Sequence, residues 1–180
     1  IQSARATEMF LVPTMIKRVI EHPRFPEFDL SSLQMLLYGA APIDVALLEQ
    51  AMAALPETSF SQAYGMTELS PTVAVLMPHC HLPGPDRNRL LRSAGRPVPV
   101  AEIRIVDAQD QEVPFGQVGE IVARGPMVMQ GYWNKPAETE AALRGGWMHT
   151  GDGGYMDEHG FLYVVDRMKD MIVSGGENVY

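Results

Sequence analysis

The stretch GWMHTGDGGYMDEHGFLYVVDRMKDMIVSGGEN, residues 146–178, decides how the last third of this chain folds. A strand runs into the glycine-rich bend 151–154, where a flexible backbone exposes the carboxylate of Asp152. A β-hairpin follows, and its apolar second strand carries Arg167 at its far end. The pattern predicts that Asp152 and Arg167 lie at neighbouring strand ends, where a carboxylate and a guanidinium suit a ribose diol.

Each part of this pattern also has a simpler interpretation. Asp-Gly is a very common turn signal, so residues 152–153 alone fit a hairpin turn. Arg167 alone fits a surface charge. The functional interpretation therefore depends on the rest of the chain.

The composition excludes several classes of partner. The chain has 180 residues, 46% of them apolar, and no run of the ~20 apolar residues that a membrane helix needs. Its formal net charge of -8 argues against nucleic acid or an anionic membrane bound through a basic surface. The single Cys80 excludes an internal disulfide and fits a reducing compartment, so we expect a cytoplasmic protein.

The first half of the chain alternates strand and helix patterns. A buried strand precedes a helix opened by Pro13, and a second strand ends at the small residues 39–41. Asp44 can cap the next helix, and a third strand over 59–64 ends at Gly65. Such alternation predicts a parallel sheet, whose ligands bind beyond the carboxyl ends of its strands.

The second half changes to a β pattern. Residues 101–106 alternate in polarity and are predicted to pair with 119–125 in an antiparallel hairpin, and a short helix is predicted over 137–143. The predicted fold class is α/β, with a parallel-sheet portion followed by a smaller antiparallel portion. We expect an α/β subdomain over 1–85 and a β-rich subdomain over 86–166.

Four segments occur in a fixed order along most of the chain: YGAAP at 38–42, YGMTE at 64–68, GEIVARGPMVMQGYW at 119–133, and the stretch 146–178. Together they resemble the adenylate-forming superfamily of acyl-CoA synthetases, peptide-synthetase adenylation domains and firefly-type luciferases. The resemblance implies that the chain is the C-terminal fragment of the large N-terminal domain of such an enzyme.

The resemblance also implies a two-step activity. A carboxylic acid reacts with ATP and Mg²⁺ to give an acyl-adenylate and pyrophosphate, and a thiol, usually coenzyme A, then takes the acyl group. The ending of the chain is closest to ligases that join a fatty or aryl acid to coenzyme A. The alternatives are an adenylation domain that loads a carrier protein, a non-catalytic relative that binds nucleotide, and, more distantly, a luciferase-like oxidase.

Within this resemblance, the first two motifs form the nucleotide site. Tyr64 would stack on adenine, and Gly65 next to it would also belong to the nucleotide site. Gly39, Ala40 and Ala41 would line the adenine and acyl pocket through their backbone. Ordinary core and turn packing is the alternative for these residues.

The remaining roles concern phosphate, metal and ribose. Thr67 would donate its hydroxyl to the α-phosphate, and Glu68 would be the Mg²⁺ ligand, the alternative for Glu68 being a solvated carboxylate at a helix start. Asp152 would accept both ribose hydroxyls, and Arg167 would bond the ribose from the neighbouring strand.

The acid and the hinge complete the expectations. The walls of the acid pocket would include Ala40, Met66 and Pro71. Residues 167–180 would form the hinge and the start of the small C-terminal domain, and Lys169 would lie where the large and small domains bend against each other. The phosphate-binding loop and the small-domain lysine of the superfamily should lie before Ile1 and after Tyr180, so we expect this segment alone to be inactive. A homodimer is a further possibility that the sequence leaves open.

Overall fold

The computed structural model describes residues 1–167, 172–174 and 177–179, with side chains up to residue 165. In this part of the chain, a first sheet has the spatial order β1-β2-β3-β4-β5. Its strands are β1 (Glu8–Leu11), β2 (Met35–Gly39), β3 (Ser59–Tyr64), β4 (Ala74–Leu76) and β5 (Arg96–Pro97). Strands β1 to β3 are parallel, as predicted, so β2 and β3 end at the same edge of the sheet.

Two helices connect the parallel strands. Helix α1 (Pro13–Ile20) begins with proline, whose fixed φ suits the first helical position. Helix α2 (Val45–Ala54) is capped by Asp44, whose carboxylate accepts a hydrogen bond from the backbone N–H of Ala46 at 3.0 Å, as the sequence predicts. The helices and the first strands share one apolar core, built around Leu11, Ile16, Leu36, Tyr38, Leu48 and Ala51.

The parallel prediction is incomplete, because β4 and β5 run antiparallel to their neighbours. After β3 the chain makes a short 3-10 turn over Thr67–Leu69 and reverses at Ser70, which has a left-handed φ of 53°. The first sheet is therefore mixed. It also extends to Pro97, beyond the boundary predicted at residue 85, while the division into independently folding domains stays a prediction.

The second sheet is antiparallel, with the order β6-β7-β8-β9. Its strands are β6 (Glu102–Val106), β7 (Gly119–Arg124), β8 (Met148–Met156) and β9 (Leu162–Arg167). The hairpins β6–β7 and β8–β9 confirm the predicted pairings. Helix α3 (Arg87–Leu90) lies between β4 and β5 of the first sheet, and α4 (Pro136–Ala142) precedes β8 close to the predicted bounds.

The glycine-rich segment 151–154 belongs to β8 and is not a separate bend or turn. The register shifts in its pairing with both neighbouring strands, and Gly151 has a φ of 73°, so the segment is irregular within the strand. Further along, β10 (Ile172–Ser174) pairs antiparallel with β11 (Glu177–Val179). No helix in the described part of the chain is long and apolar enough to cross a membrane.

Candidate functional site

A cavity of about 580 Å³ opens at the carboxyl ends of β2 and β3, where both sheets contribute to its wall. This volume is in the range of small-molecule sites. Of the residues predicted to bind nucleotide, Ala40, Ala41, Tyr64, Gly65 and Asp152 line it. The position agrees with the general rule that ligands of parallel α/β sheets bind beyond the strand ends.

The loop after β2 brings bare backbone to the cavity. Gly39 is buried behind the wall, where a Cβ atom would lie 2.3 Å from the carbonyl oxygen of Ala63, so only glycine fits there. Ala40 follows with a φ of 63°, which turns the chain sharply, and both Ala40 and Ala41 are exposed. Small side chains at these positions leave the backbone accessible to a ligand.

Tyr64 and Asp152 meet across the cavity, although 88 residues separate them in sequence. The hydroxyl of Tyr64 donates to Oδ2 of Asp152 at 2.8 Å, joining the end of β3 to the irregular segment of β8. Next to Tyr64, a Cβ atom on Gly65 would lie 2.0 Å from the carbonyl oxygen of Pro71. The carboxylate is thus held half-buried at the cavity wall, facing a hydroxyl.

Strand pairing brings the backbones of Asp152 and Arg167 together, since the two residues are register partners in β8 and β9. Their predicted closeness therefore has a backbone basis. The side chain of Arg167 and the whole of Lys169, the predicted hinge, lie outside the described part of the structure.

Thr67 and Glu68 follow the cavity wall but do not line the cavity. Thr67 is exposed, and Glu68 accepts a 2.8 Å hydrogen bond at Oε1 from the hydroxyl of Tyr132. That bond raises the pKa of the Tyr132 phenol, because the neighbouring carboxylate favours the protonated form. The backbone N–H of Met129 also donates to the carbonyl of Glu68 at 2.8 Å, so two contacts fix this carboxylate residue.

Met66 and Pro71, the other predicted walls of an acid pocket, also lie apart from the cavity lining. Met66 packs half-buried against the cluster around Leu69 and Val73, whereas Pro71 is exposed. Their role in holding an acid stays a prediction.

Next to the loop after β2, Tyr38 forms a buried polar pair with His81. The hydroxyl of Tyr38 lies 2.9 Å from Nε2 of His81, and Nδ1 of the same ring lies 3.2 Å from the carbonyl oxygen of Met77. Burial lowers the pKa of His81 from 6.5 to about 4, and it raises the pKa of Tyr38 well above its ordinary value. Both rings are therefore neutral near pH 7 and act as structural groups beneath the site.

The sequence analysis missed several lining residues. Gln62 precedes Tyr64 on β3, Arg92 follows α3, and Val164 and Val165 lie on β9 just before Arg167. For Gln62 and the two valines, the signal was their adjacency to recognised motifs. Arg92 has no such signal, because it comes from the aperiodic segment between β4 and β5.

Comparison with known proteins agrees with this geometry. Residues 1–133 match the model of the family described as AMP-binding enzyme. A feruloyl-CoA synthase from Amycolatopsis sp is 43% identical over 187 residues, which take in 100% of this chain and 35% of that protein. The chain therefore spans about a third of the length of this relative.

Solved structures give the same result. The amide bond synthetase McbA from Marinactinospora thermotolerans has a TM-score of 0.89 and 40% identity, covering 99% of this chain and 35% of that one. The o-succinylbenzoate coenzyme A synthetase of Bacillus subtilis, solved with ATP and magnesium ion, has a TM-score of 0.84 and 35% identity, covering 99% and 35%. The chain belongs to the family of AMP-binding, adenylate-forming enzymes.

Proposed function

We propose that the protein carrying this chain activates a fatty or aryl carboxylic acid with ATP and transfers the acyl group to coenzyme A. The observation that carries the proposal is the cavity at the ends of β2 and β3, in which Tyr64 and Asp152 meet beside the exposed residues Ala40 and Ala41. The names of the relatives support this reaction, since a CoA synthase and a CoA synthetase are among them.

The reaction joins two anions, so the site must offset their repulsion. A carboxylate oxygen attacks the α-phosphorus of ATP, and the bond from that phosphorus to the leaving pyrophosphate breaks. The thiol of coenzyme A then attacks the acyl carbon, and AMP leaves. Oriented donors and a cation lower the barrier of the first step by stabilising charge on the transferring phosphorus.

In this proposal the nucleoside occupies the cavity. Tyr64 lies against the adenine, with the backbone of Ala40 and Ala41 on the opposite wall. Asp152 accepts hydrogen bonds from the ribose hydroxyls, and Arg167 binds the same ribose from β9. The support is that Ala40, Ala41, Tyr64 and Asp152 line one cavity and that Arg167 pairs with Asp152 in the sheet.

Thr67 and Glu68 serve the phosphates beyond the cavity edge. Thr67 donates its hydroxyl to the α-phosphate, and Glu68 holds Mg²⁺, which neutralises phosphate charge when bound. In residues 1–167, 172–174 and 177–179, no group of three or more His, Cys, Asp or Glu side chains could hold a metal by itself. A lone carboxylate still fits Mg²⁺, because this ion is usually bound by one or two carboxylates together with substrate phosphates and water.

The partners follow from the same chemistry: a carboxylic acid, ATP and coenzyme A. We further propose a cytoplasmic protein, in keeping with a single cysteine, Cys80, which is buried and free. The 180-residue chain, which spans about a third of its relatives, should be inactive by itself. A homodimer stays a prediction.

The test is carboxylate-dependent ATP–pyrophosphate exchange by the whole protein, with short, medium, long and aryl acids, followed by thioester formation with coenzyme A. Exchange with one acid class and a coenzyme A product would support the ligase and identify its substrate. Exchange without a coenzyme A product would indicate another acceptor, such as a carrier protein. No exchange with any acid would overturn the proposal.

A matched pair of variants links the activity to the site. Glu68→Gln keeps the shape of the side chain but removes the charge proposed to hold Mg²⁺, so exchange should fall by about a hundredfold or more. Glu57→Gln makes the same change at an exposed position away from the cavity and should leave exchange unchanged.

A further inference from the structure

Glu120 on β7 holds the segment of β8 that presents Asp152. Its side chain is only 15% exposed. Oε1 accepts a hydrogen bond from the backbone N–H of Gly151 at 3.1 Å, and Oε2 accepts one from Nδ1 of His149 at 2.9 Å. One carboxylate therefore binds two of the three residues that precede Asp152.

This carboxylate replaces a missing part of the strand ladder. The register between β7 and β8 shifts between Glu120 and Val122, and Gly151 turns away from the ladder with a φ of 73°. A backbone N–H without a partner in the ladder needs another acceptor, and the Glu120 side chain supplies it. The irregular geometry of β8 is thus stabilised by a side chain of the adjacent strand.

Thr150 extends the same arrangement to Asp152. Its hydroxyl donates to the carbonyl oxygen of Ile121 at 2.7 Å and accepts the backbone N–H of Asp152 at 3.1 Å. Contacts from β7 therefore hold the side chains of His149 and Thr150 and the backbone N–H of Gly151, and Thr150 in turn holds the backbone N–H of Asp152.

The charge of Glu120 is balanced by Arg144. The guanidinium of Arg144 donates to Oε2 of Glu120 at 3.2 Å and to both carboxylate oxygens of Asp110 at 3.1 Å. Because the carboxylate only accepts hydrogen bonds, His149 must present a proton on Nδ1, which fixes its tautomer. Without Glu120, the N–H of Gly151 and the nearly buried ring of His149 would both lose their acceptor.

We propose that Glu120 is a positioning residue for nucleotide recognition, which holds Asp152 in the geometry that binds the ribose hydroxyls. The inference rests on the proposed function, in which Asp152 binds ribose. Glu120 itself acts from behind β8 and is not part of the cavity lining.

The experiment compares the binding of AMP and 2′-deoxy-AMP to the whole protein by calorimetry. If Asp152 bonds the 2′-hydroxyl, the wild type should prefer AMP by about tenfold, the worth of one hydrogen bond to a charged group. Glu120→Ala should reduce this preference to about twofold, because a displaced carboxylate no longer distinguishes the two ribose rings. A purely structural effect would weaken both nucleotides equally and keep the ratio at about tenfold, which would overturn the inference.

Two further variants complete the design. Glu120→Gln keeps an acceptor for Gly151 and should retain about half of the preference on a logarithmic scale, and it carries the test if the alanine variant does not fold. A wild-type preference in Glu120→Gln would then overturn the inference. Glu102→Gln removes an exposed carboxylate of the same sheet, paired with Arg124, and should behave as wild type.

The outcomes separate the two proposals. AMP binding with the predicted loss of preference, but no ATP–pyrophosphate exchange, would support Glu120 and overturn the ligase. ATP–pyrophosphate exchange by the wild type, with an unchanged preference for AMP in Glu120→Ala, would support the ligase and overturn the role of Glu120. A wild type that binds no AMP would overturn both.

Discussion

The buried histidine beneath the site predicts a specific dependence of stability on pH. His81 is 5% exposed, and its Nε2 lies 2.9 Å from the hydroxyl of Tyr38 at the end of β2. Burial, with smaller contributions from the charges of Arg87 and His79, lowers its pKa from 6.5 to about 4. Folding therefore favours the neutral ring over the protonated one.

Proton linkage gives the direction and the size of this change in the free energy of unfolding. Between pH 6.5 and about 4 the unfolded chain binds a proton at His81 that the folded chain excludes, so stability falls as the pH falls through this window. At about 1.4 kcal/mol per pKa unit, the full loss is about 3 kcal/mol below pH 4, and about 2 kcal/mol of it is already present at pH 5.

The assay is an NMR titration of the histidine ring protons in the whole protein, with His81→Gln identifying the resonance of His81. Denaturant unfolding of both proteins at pH 7 and pH 5 then gives the stability term, since other titrating groups largely cancel in the comparison. The wild type should lose about 2 kcal/mol more than His81→Gln. A ring that titrates near its ordinary pKa, or equal losses in the two proteins, would show that burial does not keep His81 neutral in the folded protein.

Three further changes test the walls and the edge of the site. Ala40→Leu narrows the cavity, so the whole protein should prefer shorter acids by about tenfold in an exchange series, whereas an unchanged preference would remove Ala40 from the acid pocket. Tyr132→Phe removes the hydrogen bond to Glu68, so half-maximal exchange should need about tenfold more Mg²⁺; an unchanged requirement would contradict the proposed metal role. Gly65→Ala places a methyl group against Pro71 and should cost about 2 kcal/mol in denaturant unfolding, while wild-type stability would show that the loop adapts.

Local patterns predicted much of the fold. The proline that opens α1, the Asp44 cap of α2 and the alternating strands of the second sheet all lie where the sequence places them. These features depend on residues close together in sequence, which is why propensity and periodicity find them. The short turn of the hairpin β8–β9 fixes the register next to it, from Met156 to Gly154, and brings the backbone of Asp152 near Arg167. Their exact pairing depends on the shift of register at Gly153 and Gly154, which the sequence does not predict.

Other features depend on distant contacts and could not be predicted in this way. The chain reverses before β4 at Ser70, which has a left-handed conformation. A serine in the sequence does not by itself predict that conformation. The bond from Tyr132 to Glu68 spans 64 residues, and the bond from Gly151 to Glu120 spans 31. Glu120 was part of a recognised motif, but only the register of β7 and β8 shows what its carboxylate contacts.

The cavity lined by Tyr64 and Asp152 is the proposed binding site for the nucleoside of ATP. The most direct measurement is the Kd of AMP for the whole protein, its Asp152→Asn variant and an Asp86→Asn control, whose carboxylate is 64% exposed and outside the cavity lining. We predict that Asp152→Asn weakens binding by about tenfold or more, while Asp86→Asn matches the wild type. Equal affinities in all three proteins would show that Asp152 does not bind the nucleoside in this cavity.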